Sequence, residues 1–136
     1  MNHRAATVWL VTRMTARLTV CLFVSSIALT TIAAEPIEFA GDIVPLLTKH
    51  GCNAGACHGS AAGRGGLKLS LYGANPRADY HAIVEDLEGR RVNQLLPDES
   101  LIVLKPTETI AHAGGHRFDD DSQSRAVLVD WIKQGA

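Results

Sequence analysis

Cys52 and Cys57 constrain this chain more than any other feature, because they are the only cysteines downstream of residue 34 and His58 follows the second directly. Four residues separate them: Asn53, Ala54, Gly55 and Ala56. Two thiols followed at once by an imidazole is the order needed to tether a c-type haem through two thioethers and ligate its iron from below. The usual spacer is two residues, so the extra pair has to bulge away from the porphyrin. The small side chains allow this, and Gly55 can take a positive φ there. Two other uses of the pair stay open on the residues alone. The cysteines can close as a disulfide, which gives His58 no role. Cys52 and Cys57 can also join His112 and His116 as a Cys2His2 zinc set, which again leaves His58 unused and requires free thiolates in an oxidising compartment.

That compartment is implied by the N-terminus. Arg4, Arg13 and Arg17 precede an uncharged apolar run from Leu18 to Ala34, which closes on the small residues Thr31, Ala33 and Ala34. This is the ordering of a secretory signal peptide. Residues 1–34 are therefore assigned as a leader cleaved after Ala34, with translation starting at Met1 or at Met14. Residues 35–136 are assigned as one exported domain of the periplasm or cell envelope, with no stable membrane span after cleavage. Removing the three leader arginines leaves ten basic residues against fourteen acidic ones, a formal charge of −4. Such a balance gives no electrostatic basis for nucleic-acid binding. Only Phe39, Tyr72, Tyr80, Phe118 and Trp131 remain as aromatics, a small supply for one core, and domains of this size often gain stability from a cofactor, metal or disulfide.

The patterning predicts an all-α domain with a loop-rich middle. Ile43, Leu46, Leu47 and His50 recur at helical spacing over Asp42–His50, with Asp42 as cap, Pro45 in the first turn and Gly51 as a left-handed stop. Leu67, Leu69 and Leu71 alternate with Lys68 and Ser70, which suggests a short extended piece. Pro76–Glu88 reads as a second helix with Tyr80, Ile83, Val84 and Leu87 on one side. A turn around Pro97 follows, then a short helix capped by Ser100 and ended at Lys105 by Pro106. The last helix, Ser122–Gln134, has Asp119, Asp120 and Asp121 at its N-terminus, where the helix dipole favours negative charge. Its apolar face is Val127, Leu128, Trp131 and Ile132.

Several stretches together carry a resemblance. GCNAGACHG, GGLKLSLYG, RRVNQLLPDESLIVLKPT and AHAGGHRF resemble the planctomycete-type cytochrome c domain across about residues 37–135, the widened cysteine spacing included. The resemblance implies the cytochrome c-like fold, in which the first and last helices pack across each other beside one covalent haem c. It implies electron transfer rather than catalysis, and fusion to or association with larger exported domains. Cys52 and Cys57 would be the haem tethers and His58 the proximal ligand.

Methionine cannot be the distal ligand of the exported domain, since Met1 and Met14 lie in the leader. The family places a histidine before a glycine pair, here His112 before Gly114 and Gly115, so His112 is the expected distal ligand and His116 the alternative. An open sixth position would instead make a haem enzyme or sensor. His50 is expected as a packed or helix-capping ring and His81 as a solvent-facing one. Arg64, Lys68 and Arg117 are candidate partners for haem propionates, or else surface charges. Gly63, Gly65 and Gly66 form no phosphate loop, for no Gly-Lys-Ser/Thr follows.

Overall fold

The computed structural model describes residues 35–136. The leader over 1–34, its cleavage after Ala34 and the alternative start at Met14 lie outside the described residues. No helix among those described is long and apolar enough to cross a membrane.

The domain is mostly helical and rich in loops, and no strand forms among the described residues. A π-helical turn, Phe39–Ile43, runs directly into α1, Val44–Lys49. The helical segment thus begins three residues before the expected Asp42 cap. Asp42 lies inside the first turn, and its carboxylate accepts from the Glu38 N–H at 2.8 Å, so Glu38 rather than Asp42 stands at the boundary. Ile43, Val44, Leu46 and Leu47 are buried along one face. Gly51, at φ 72°, turns the chain out of α1 into the cysteine segment, as expected.

The leucine alternation at 67–71 does not build a strand: Leu67 makes only an isolated antiparallel bridge with Arg64, although Ser70 is extended at φ −70°, ψ 144°. Leu69 is buried, but Leu71 is half exposed at the start of a 3-10 turn, Leu71–Gly73. With no neighbouring strand to pair with, the backbone bonds elsewhere. Leu69 N–H donates to His58 O at 2.8 Å, and the Ser70 hydroxyl donates to the buried Asp79 at 2.7 Å.

α2 spans Pro76–Tyr80, capped by the Asn75 side chain, and continues as a π-helical turn, His81–Glu85. It stops three residues short of the expected Glu88. Asp86 is extended, and Leu87 and Glu88 have positive φ, so Leu87 faces solvent instead of joining Tyr80, Ile83 and Val84. The Arg91 guanidinium, nine positions on, donates to Ala82 O at 2.8 Å, so this carbonyl is satisfied where the helix ends.

α3, Leu101–Leu104, follows a 3-10 turn at Pro97–Glu99. Ser100 stands before it without capping it, because its hydroxyl instead accepts from Asn93 N–H at 2.9 Å. α4 spans Gln123–Lys133, and here the serine does cap: Ser122 Oγ accepts from Arg125 N–H at 3.2 Å. Leu128, Val129, Trp131 and Ile132 of α4 meet Ile43, Leu47, Ile83 and Val103 in one core. The N- and C-terminal helical segments touch, with the Phe39 ring 5.5 Å from Trp131 and edge-on to Tyr80 at 5.3 Å.

Candidate functional site

The cysteine segment is a tight, self-bonded loop beginning where α1 ends. Cys52 N–H donates to Leu47 O at 2.8 Å, and His58 N–H returns to Cys52 O at 3.0 Å. The four spacer residues are thereby pinched into a closed bulge. Asn53 is buried, its amide donating to Thr48 Oγ at 2.8 Å, while Gly55 and Ala56 lie at the surface. Ala56 also borders the cavity, and Gly55 does not take a positive φ. Gly59 fixes the exit: a Cβ there would overlap the Asn53 carbonyl, so only glycine lets the loop close on itself.

Cys52, Cys57, His58 and His112 all line one cavity of about 700 Å³. Cavities of about 300–1,000 Å³ are the usual size for small-molecule and cofactor sites. Its walls include Leu47, Leu67, Leu69, Ile83 and Ile102, drawn from α1, the 67–69 stretch, the α2 extension and α3.

The two histidines are held alike. His58 Nδ1 bonds Arg64 O at 3.1 Å and Leu67 O at 3.2 Å, and His112 Nδ1 bonds Gly115 O at 2.9 Å. A carbonyl only accepts, so in both rings Nδ1 carries a proton, which leaves Nε2 as the ligating nitrogen whenever the ring is neutral. Neither Nε2 has a hydrogen-bond partner among the described residues. Burial, with the nearby His112 and Arg91 adding to it, holds His58 below the ordinary histidine range against the two carbonyl bonds, which favours the neutral, ligating form. The rings lie 6.3 Å apart between centres and within 11° of parallel. Two imidazoles sharing one ion through bonds of about 2.0 Å have ring centres roughly 6 Å apart.

Cys52 and Cys57 are not bonded to each other. Burial pushes the Cys52 thiol up to about 11; Arg117 opposes this and Cys57 adds to it. Cys57 Sγ accepts from the Arg117 guanidinium at 3.4 Å. The Cys2His2 set does not assemble: no group of three or more metal-ligating side chains comes together among the described residues. His116 is turned outward toward Asp119 at 3.3 Å, both exposed, and is not part of the cavity wall. Two thiols and two imidazoles nevertheless line the same cavity. These residues fit a haem joined through Cys52 and Cys57 and ligated by His58 and His112.

The remaining candidates separate cleanly. His50 is a packed ring, bonded to Arg117 O and Ser124 Oγ and edge-on to Phe118 at 4.9 Å. His81 is exposed beside Glu85 and Asp86. Arg64 and Arg117 reach the cavity, whereas Lys68 does not. Sequence reasoning missed Arg90, Arg91 and Lys105 in the cavity wall. The Arg90-Arg91 pair was visible, but nothing local distinguishes an arginine that points inward from one that points to solvent.

Comparisons with protein-family models, with curated proteins and with solved structures find no match to this chain.

Proposed function

We propose that residues 35–136 form a single-haem c-type cytochrome domain of the planctomycete type, exported and acting in electron transfer. The observation that carries this reading is the near-parallel His58–His112 pair, with ring centres 6.3 Å apart and both Nε2 atoms without a hydrogen-bond partner among the described residues, beside two free cysteines on the same cavity. Cys52 and Cys57 serve as thioether tethers, His58 as the proximal ligand and His112 as the distal one. The cytochrome c-like fold belongs to the same proposal, and the contact between the N- and C-terminal helical segments supports it.

Haem supplies a one-electron ferric–ferrous couple, and the protein contributes orientation, exclusion of water and electrostatics. The carbonyls of Arg64, Leu67 and Gly115 hold Nδ1 of both rings, so Nε2 is the nitrogen that would ligate the iron. Ligation by both His58 and His112 would favour outer-sphere electron transfer over substrate binding and would set a lower potential than methionine ligation. A domain of this kind is not a catalyst by itself; it passes electrons to or from a redox partner.

The test is the mass and spectrum of protein exported in cells with intact cytochrome maturation machinery. Denatured protein is expected at the mass of the polypeptide plus one haem, with a sharp α band in the reduced state. A polypeptide of bare mass, or one carrying zinc and no Soret band, defeats the proposal. Covalent haem with a high-spin spectrum keeps the tethers but replaces electron transfer with the open-site enzyme or sensor.

A further inference from the structure

The cavity carries a charge pattern that the axial ligands and tethers leave unused. Arg64, Arg90, Arg91, Lys105 and Arg117 line it, and no aspartate or glutamate does. This stands out on a segment whose formal charge is −4, and none of these five cations forms an ion pair among the described residues. Arg125 and Lys133, away from the cavity, are both paired with aspartates.

Arg91 is the extreme case, only 7% exposed. Its guanidinium donates to Ala82 O at 2.8 Å, to Gly66 O, and at 3.5 Å to the backbone carbonyl of Asp86. The Asp86 carboxylate lies toward His81 instead. Of the five N–H donors of a guanidinium, at most three are engaged, and no anion offsets the charge. A buried cation without a counter-charge is costly, and proteins tolerate it where a ligand supplies the missing anion.

We infer that Arg91 binds a carboxylate of the cavity's occupant, which under the haem proposal, on which this inference rests, is a propionate. Arg117 does not fill that role. It sits on Cys57 Sγ and on Gly114 O, which is the edge where the vinyl groups are tethered, and haem carries its propionates at the opposite edge. The planar fork of Arg91 suits bidentate capture of a carboxylate, a geometry that lysine does not reproduce. Its bonds to the Ala82 and Gly66 carbonyls hold that fork in place between the α2 extension and the Gly66 turn.

The test compares the haem-loaded wild type with Arg91→Gln, Arg91→Lys and, as an exposed control on α2, Arg77→Gln. The readouts are the propionate-bending band of the resonance Raman spectrum and the reduction potential. Arg91→Gln is expected to shift the band and to move the ferrous–ferric equilibrium about tenfold toward ferric, about 59 mV for one electron. Arg91→Lys keeps the charge and loses the fork, so the band shifts while the equilibrium stays within about threefold of wild type. Arg77→Gln changes neither. If Arg91→Gln does not accumulate, the Arg91→Lys band decides, and a wild-type band there overturns the inference. Wild type without covalent haem overturns the parent proposal; haem-loaded protein indifferent to both Arg91 substitutions overturns this inference alone.

Discussion

Replacing Gly114 by alanine tests the distal half of the site without altering any ligand. A Cβ on Gly114 would stand 2.7 Å from His112 Cε1 and 3.0 Å from His112 Nε2. Ordinary van der Waals contact begins at 3.4 Å, so ring and methyl must separate by about 0.7 Å. The backbone is poorly placed to absorb this, because Arg117 holds the Gly114 carbonyl and the Gly115 N–H donates to His112 O at 2.8 Å. The displacement therefore falls on the imidazole. A functional group has to be held within about 0.5 Å of its working position, and a metal–imidazole bond of about 2.0 Å does not stretch to cover the gap. The cost in stability is small by comparison, about 1 kcal/mol for a weakened His112 Nδ1–Gly115 O bond. Gly114→Ala should therefore retain covalent haem and melt within a few degrees of wild type, yet lose much of its low-spin spectrum. Low-spin absorption and electron paramagnetic resonance signals identical to wild type would refute ligation of the iron by His112 from this position.

His112→Ala should convert the low-spin spectrum to high-spin, whereas His116→Ala should leave it unchanged, since His116 faces Asp119 outside the cavity; the reverse pattern would reassign the distal ligand. In haem-free protein, the Cys52 thiol rises from 9.0 to about 11 on folding. A raised pKa contributes stability that is complete below pH 9 and is lost as pH climbs to about 11, at most roughly 2–3 kcal/mol. Urea unfolding at pH 8 and pH 11 should show this loss in the parent and not in Cys52→Ala; equal losses in the two would remove Cys52 as the source. Leu128→Ala, at a fully buried position of α4, should cost about 2–5 kcal/mol in urea unfolding, and a loss below about 1 kcal/mol would contradict the packing of α4 into the core.

What could be read along the chain was whatever local chemistry dictates. The spacing of apolar residues in α1 and α4, the Gly51 stop and the order of thiols and imidazole in Cys52–His58 all depend on neighbours within a few positions. The expectation for His112 came instead from the family resemblance, which places a histidine before the pair Gly114-Gly115. The errors share one cause as well. Asp42 and Ser100 are good caps by residue type, but their oxygens went to Glu38 N–H and Asn93 N–H instead. The helix after Pro76 ends where Arg91, not a further turn, bonds the Ala82 carbonyl. Over 67–71, Leu69 bonds the His58 carbonyl and Ser70 bonds Asp79, and no strand forms.

The helical class of the domain, the candidate tethers and the proximal imidazole were legible before any fold was known, because each is written as a pattern of adjacent residues. Three facts emerge only once the chain is folded: His112 is the histidine that faces His58, His116 turns away, and an arginine on no recognisable motif is buried at the cavity wall. They depend on which distant segments share one space, and competition for buried hydrogen-bond partners, rather than local propensity, settles that.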